Sequence, residues 1–451
     1  MNTTQSSGMR TFTIIWAGQM LSLIGTAMTR FALVVWAYDL TGTATTVALV
    51  SFAFFLPLVL ISPIAGIVVD RFDRRRVMLL TDLGAGVMTL ILLALHLSGG
   101  LQVWHTYLLL GASGIFNAFQ EPAYIAASSL LVPKTHYARA NGMRSIAESS
   151  SQLLAPFLAA LLLPVAGLTA VMLVDVATFL FAVVTLAIVR VPAPPQDDPI
   201  TLANWRQQTQ TGFRFIAVRH GLIGLMIVFM GMNFMDTLTY SSLLPVTILG
   251  KTGGDEFALA WVSVALGVGG IIGGVLVSTF GLPKRLIHGM LAFAAVSFIL
   301  GDTQIGMGNG LFRWSVGAIS AAVFIPAIVA ANTTIWQRKT PPAIQGRVFA
   351  VKNMIQQAPR PIGFLISGPL ADRVFEPAMA PGGALADVFG PWVGTGPGAG
   401  VALMFVCTGV IGCTMALSGY LFPAVRNVED DLPDYDAVLP ETRPVEAVLT
   451  L

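Results

Sequence analysis

Gly66-Ile67-Val68-Val69-Asp70-Arg71-Phe72-Asp73-Arg74-Arg75-Arg76 ends a long apolar segment with a small residue, an acid one helical turn later, and then a run of arginines. A small residue lets helix backbones approach closely, and arginines hold a helix end on the cytoplasmic side of a bilayer. A positive loop alone accounts for the arginines but leaves Gly66 and Asp70 unexplained.

The rest of the chain has the same character. Of its 451 residues, 55% are hydrophobic and 11% charged, against about 25% charged in a soluble domain. Water cannot be its main solvent. Apolar segments much longer than the roughly ten-residue alternating strands of an outer-membrane barrel imply helices, each of which satisfies its own backbone in lipid. Hydropathy and loop chemistry predict twelve spans, at 12–38, 45–69, 77–97, 105–131, 140–163, 169–189, 221–248, 257–280, 287–301, 312–337, 346–371 and 399–424. The N-terminal stretch is read as the first span, because it lacks the basic start and small-residue cleavage site of a signal peptide.

Twelve spans put both termini on one side. With the N-terminus inside, 20 of the 25 Lys and Arg fall in cytoplasmic segments, with Lys352 counted among them. Lys251, Arg313 and Arg373 fall outside, and Arg30 and Arg360 lie within spans. The asymmetry places both termini in the cytoplasm.

The expected organisation is a six-helix half over 1–190, a cytoplasmic linker with an interfacial helix over 191–220, a second six-helix half over 221–424, and an acidic cytoplasmic tail over 425–451. The interfacial helix would turn Leu202, Trp205, Phe213 and Ile216 to one side. The tail has seven acids against Arg443, which suggests a solvated, disordered segment. A shift of 204 residues superposes Pro122-Ala123 on Pro326-Ala327, Ala126-Ala127 on Ala330-Ala331 and Gly142 on Gly346, as an internal duplication would.

The segment from Gly66 to Arg75 resembles the Gly-x-x-x-Asp-Arg-x-x-Arg-Arg signature between the second and third helices of the major facilitator superfamily. It is carried by Gly66, Asp70, Arg71, Arg74 and Arg75. The resemblance implies an all-α integral membrane fold of twelve helices in two pseudo-symmetric halves, alternating access around a midplane site, and no enzymatic activity. It also implies that Asp70 helps to lock the cytoplasmic side, near the positive end of span eleven around Gly346. The equivalent second-half loop has Ser278 in place of the acid, so the lock would be asymmetric.

Span five, with Gly142, Ser151, Ala155-Pro156 and Ala159, is similar to the family's antiporter motif, with Ser or Ala replacing most of its glycines. Ordinary small-residue packing gives the same pattern. The first helix (Trp16, Gly18, Gln19, Gly25, then Leu40-Thr41-Gly42-Thr43), with Pro122-Ala123 and Leu131-Val132-Pro133, resembles the branch containing macrolide efflux proteins and the enterobactin exporter. That branch implies outward movement of an amphipathic antibiotic or xenobiotic, with a siderophore or secondary metabolite as the alternative. A non-transporting sensor or scaffold is the reading from a different class. The arginine that drug/proton antiporters often carry in span four is absent from 108–120.

Ionisable residues inside spans are costly and functional by default. By position, Arg30, Glu121, Asp236 and Arg360 lie well inside, as proton or substrate candidates, with a structural ion pair as the other reading of each. Spans one, four, seven and ten surround the cavity in the family, so the resemblance favours Glu121 and Asp236, with Arg30 as counter-charge. Arg360, between Pro359 and Pro361, suggests a broken helix and a gate. Asn117, Gln120, Asn233 and Tyr240 are polar cavity candidates, and Trp16, Trp36 and Phe234 apolar ones. Asp82, Glu148 and Asp175 are placed near span ends, in reach of loops.

The glycines from Gly394 to Gly400 lack the Lys of a phosphate cradle and read as an outer loop. Those from Gly267 to Gly274 read as helix packing. Cys407 and Cys413 lie in one apolar segment and suggest neither a disulfide nor a metal site. The expected partners are a small-molecule substrate, the proton and the lipid bilayer, acting on a monomer, with no cofactor, metal or nucleic acid.

Overall fold

The computed structural model describes residues 3–132, 137–189 and 202–434. Among them the chain is helical throughout, without a strand. Among the described residues nine helical segments are long and apolar enough to cross a membrane, one of them being Ser150–Ile188. Gly167, at φ 71°, divides that stretch into two legs. The count is consistent with the twelve spans expected.

In chain order the helices are α1 (Thr3–Thr41), α2 (Ala44–Arg71), α3 (Arg74–Leu97), α4 (Val103–Leu131), α5 (Tyr137–Ile188), α6 (Leu202–Ala217), α7 (His220–Leu238), α8 (Tyr240–Thr252), α9 (Glu256–Phe280) and α10 (Leu286–Val296). They continue as α11 (Thr303–Met307), α12 (Leu311–Ala322), α13 (Ile325–Lys339), α14 (Pro342–Gln357), α15 (Pro359–Leu370), α16 (Glu376–Met379), α17 (Ala386–Val393), α18 (Ala399–Ser418), α19 (Pro423–Arg426) and α20 (Val428–Asp431). Two compact units result, one of residues 1–200 with 248–267 and the other of 201–247 with 268–451.

In the first unit α1 packs against α5 through small residues. Any side chain at Gly18 or Gly25 would collide with Thr185 or Thr178. The Ser151 hydroxyl donates to the Leu23 carbonyl at 3.1 Å, and Ala155 and Ala159, one turn apart, are fully buried. Lipid offers no hydrophobic drive between helices, so close approach by small residues is what joins them. The duplicated positions share their environment, since Ala123 and Ala127 are as buried in the first unit as Ala327 and Ala331 in the second.

The arginines following Asp70 act as clasps. Asp73 caps the start of α3 by accepting from the Arg76 N–H at 2.9 Å. Arg74 donates to the Ala126 carbonyl at 3.3 Å, and Arg75 donates to the carbonyls of Leu186 and Ala187 at 2.7 and 2.5 Å. The last turn of a helix has carbonyls without partners, which a guanidinium can satisfy. The side chains of Gly66, Asp70, Arg71, Gly142, Glu148 and Gly346 lie outside the described residues.

In the second unit α6 packs on α14, where Gly212 meets the Arg347 carbonyl. Among the described residues of α6, Gly212, Phe215 and Ile216 are buried, whereas Phe213, expected on the same side as Ile216, is exposed. The side chains of Leu202 and Trp205 fall outside the described residues. Gly269 and Gly273, four apart on α9, pack closely against the Ile319 and Val323 carbonyls.

The segment between α15 and α18, rich in Pro and Gly, carries short helices and an apolar cluster of its own. Met379 and Val393 are buried with Ala399, Ala402 and Leu403 in a small apolar cluster. The Glu376 carboxylate accepts from the N–H groups of Gly398 and Val401 at 3.2 and 3.0 Å, and so caps α18. Burial pushes this carboxyl above its ordinary range, and the two N–H groups pull it back.

The acidic tail also departs from expectation over its described part. Val425 and Val428 are buried against α7, where Gly221 and Gly224 give them room. Glu429 caps the first turn of α10 by accepting from the Ile287 N–H at 2.8 Å. Lys339, with a side chain 4% exposed, donates to the Glu429 carbonyl at 2.7 Å and to the Leu432 carbonyl, and pairs with Asp434 at 2.8 Å. The acid count suggested solvation, but a buried lysine selected a docked conformation. Residues 435–451 lie outside the described part.

Candidate functional site

Three buried carboxylates organise the interiors of the two units. In the first, Asp82 on α3 accepts from Gln19 on α1 at 2.8 Å and from Gln120 on α4 at 2.7 Å. Gln120 also donates to Gln19 at 2.8 Å, and Thr81 donates to Gln120. Asp175 on the second leg of α5 accepts from Thr26 of α1 and Thr89 of α3, each at 3.0 Å. Both acids were expected near span ends in reach of loops. They are instead buried, 9% and 2% exposed, and bind three or more helical legs together. Gln120, a cavity candidate, is part of the first network.

The third acid, Asp302, was missed in the sequence reading. It ends a π-helical turn (Ser297–Asp302) that carries α10 into α11, so span nine runs to Met307 instead of stopping at 301. Turns of this width recur at functional sites. Asp302 is 2% exposed, and its carboxylate accepts from Thr408 of α18 at 3.2 Å. Thr408 in turn bonds Thr239 at 3.1 Å. Thr239, at φ −127° and ψ −70°, is the break between α7 and α8, and it places Asp236, Tyr240 and Ser241 together. Asp236 accepts from Ser241 at 2.7 Å and lies within electrostatic reach of Tyr240 and Asp302. The Tyr240 ring meets Phe405 edge-on, with centroids 5.3 Å apart. Asp236 and Tyr240, both named from sequence, thus share a cluster with the acid the sequence reading omitted.

The chemistry of the three sites differs. A threonine hydroxyl can donate to a carboxylate or accept from a carboxylic acid. Asp302 and Asp175 therefore keep a partner in either protonation state, whereas the two amides on Asp82 are arranged only to donate.

The remaining candidates are dispersed. Glu121, expected well inside span four, is exposed, and its carboxylate pairs with Arg144 of α5 at 2.9 Å. Asn117 is also exposed. The Arg30 guanidinium lies over the Phe54 ring, 4.9 Å from its centroid, and among the described residues no acid is paired with it. Asn233 donates to the Gln356 carbonyl at 3.1 Å. Trp16 donates to the Met143 carbonyl at 2.7 Å, Trp36 is half-buried, and Phe234 lies beside Gly363. The break expected at Arg360 is slight. Ala358 keeps helical angles of φ −54° and ψ −34°, and its N–H donates to the Met354 and Ile355 carbonyls. Among the described residues no group of His, Cys, Asp and Glu is arranged to hold a metal.

Comparison with known proteins matches this arrangement. Solved structures with the same fold include a bacterial homologue of the human lysosomal transporter Spinster, with TM-score 0.66 and 15% identity, covering 94% of this chain and 99% of that one. Another is the POT family transporter PepTSo, with TM-score 0.69 and 12% identity, covering 93% and 99%. Among relatives in sequence, Macrolide efflux protein A of Streptococcus pyogenes is 30% identical over 370 residues, 80% of this chain and 90% of the relative. The Multidrug efflux pump Tap of Mycolicibacterium fortuitum is 25% identical over 341 residues, 73% and 82% of the two chains. The Enterobactin exporter EntS of Shigella flexneri is 26% identical over 296 residues, 63% and 66%. The family model described as Major Facilitator Superfamily matches residues 15–364. With a fold, a family model over most of its length and efflux relatives in agreement, the chain belongs to the Major Facilitator Superfamily of membrane transporters.

Proposed function

We propose that this protein is a secondary active exporter. It moves an amphipathic small molecule of the antibiotic or xenobiotic class outward across the inner membrane by alternating access, coupled to the proton gradient, and works as a monomer with both termini in the cytoplasm. The observation that carries the substrate class is the 30% identity to Macrolide efflux protein A across 80% of this chain. Coupling is supported by Asp302, a carboxyl buried in span nine whose hydroxyl partner serves it with or without a proton. Asp236 and Tyr240 complete that site. Arg30, Glu121 and Arg360 stand as further proton or substrate candidates, and the small residues of α5 support the exporter direction. The likeness to the Enterobactin exporter EntS favours a siderophore as the second substrate reading.

Expression in a bacterium stripped of its own efflux pumps tests this reading. Accumulation of a labelled macrolide should fall several-fold and recover when the proton gradient is collapsed. Unchanged accumulation of macrolide, cationic dye and catecholate siderophore alike would remove the export reading.

The orientation has its own test. A single cysteine at Ala384, in a background without Cys407 and Cys413, should react with an impermeant thiol reagent in intact cells. One at Lys284 should react only after permeabilisation. Labelling of both from outside would overturn the topology.

A further inference from the structure

Lys352 was counted among the cytoplasmic cations, but the structure buries it. It is 4% exposed and lies ten residues into α14, about 15 Å along the helix at 1.5 Å per residue. Its ammonium faces the Phe349 and Trp336 rings, 5.1 and 5.9 Å from their centroids, and among the described residues it has neither an ion pair nor a hydrogen bond. Contacts of this kind contribute about 0.5–2 kcal/mol, less than the several kcal/mol that burial of an ion costs. The deficit calls for an anion. The two membrane acids of this unit are engaged elsewhere, Asp236 with Ser241 and Asp302 with Thr408.

The surroundings of Lys352 are unsatisfied in the same sense. Gln356 and Arg360 follow it at four-residue spacing, hence on one helix face. Gln356 Nε2 and Arg360 Nε are buried without a hydrogen-bond partner. On α13, which supplies the Trp336 ring, Trp336 Nε1 and Asn332 Oδ1 are equally unpartnered. Nearly all buried polar groups in proteins are satisfied, so several orphans on two packed helices need an explanation. Lysine, arginine and indole N–H groups only donate, and the unpartnered atom of Gln356 is likewise a donor, whereas that of Asn332 is an acceptor and stands outside the set. Such a set fits a ligand rich in acceptors and negatively charged.

We propose that Lys352, with Gln356, Arg360 and Trp336, forms a subsite for the anionic group of a bound amphiphile, a carboxylate or a group of like charge. The proposal deepens the export reading and rests on it for the identity of the ligand as cargo. A phospholipid headgroup offers the same chemistry and is the other source of the anion.

Rhodamine 110, which has a free carboxylate, and its methyl ester rhodamine 123 differ only at that group. Their binding to the full chain in phosphatidylcholine nanodiscs is read by fluorescence anisotropy against empty discs. The wild type should bind rhodamine 110 at least tenfold more tightly than the ester. Lys352→Met should equalise the two by weakening only the carboxylate, and Lys352→Arg should keep the preference, which a merely structural lysine would not do. Equal binding of the two dyes by the wild type would overturn the subsite, as would a preference that survives Lys352→Met. Adding phosphatidylglycerol separates the sources: a preference it abolishes assigns the site to a lipid headgroup, and one it leaves intact assigns it to a solute. Efflux of rhodamine 123 by a wild type with no carboxylate preference would sink the subsite and leave the export reading standing. A carboxylate preference in a protein that transports neither dye would do the reverse.

Discussion

Asp302→Asn should lower pH-driven efflux at least tenfold while leaving exchange of labelled for unlabelled substrate close to wild type. Asparagine keeps the shape of the side chain and still accepts from the Thr408 hydroxyl, which lies 3.2 Å from the carboxylate, so the packing of α10, α11 and α18 is preserved. What it loses is the ability to take up and release a proton. A tenfold loss of coupled rate corresponds to about 1.4 kcal/mol of transition-state free energy, a small part of the energy a protonation step can contribute. Exchange without a gradient needs only the conformational change. Asp236→Asn is the control, because its carboxylate is bonded to the exposed Ser241 and should show a smaller defect. Full pH-driven efflux by the Asp302 variant would move the proton site elsewhere.

Lys339→Met should lower thermal stability by several degrees in detergent, and a chain ending at Asn427, which also loses the buried Val428 and the Glu429 cap on α10, should lose more. The lysine gathers two carbonyls and the Asp434 carboxylate under a side chain only 4% exposed. Hydrogen bonds to a charged group contribute about 1.5–3 kcal/mol each. The freed acceptors can rehydrate at the membrane surface, which limits the total loss to about 3 kcal/mol. Methionine fills the volume, so the loss is not one of packing. The truncation removes every contact that Lys339 makes with the tail, so adding Lys339→Met to it should cost little more. A melting temperature unchanged in both would mean that the tail docks without stabilising the unit.

The helical membrane architecture was legible because apolar length and arginine placement are properties of the sequence alone. The functional interior was legible only in part. Asp236 and Tyr240 were found because they interrupt an apolar run at its middle. Asp302 was not, since Gly301-Asp302-Thr303-Gln304 reads as the polar end of a span, and the π-helical turn that keeps these residues within the helix has no simple sequence signal. Asp82 and Asp175 were placed near span ends, in reach of loops, yet α3 begins at Arg74, eight residues before Asp82, and two glutamine amides already await that carboxylate inside. Lys352 was lost in a charge count that treats every basic residue near a cytoplasmic end as solvated. Glu121 failed in the opposite direction. Mid-span position suggested burial, but its helix face is exposed and Arg144 meets it there. For Asp302 the end of the span was misplaced, and for the others position around the helix was not legible, because it depends on which neighbours pack against each face.

The account stands most directly on whether a proton gradient drives this protein to concentrate its substrate. The purified chain in sealed proteoliposomes, given a pH jump of either sign, should accumulate labelled macrolide against its concentration gradient only when protons run the opposite way, and Asp302→Asn should abolish that accumulation. Accumulation that ignores the direction of the pH jump, or none in a correctly inserted wild type, would contradict it.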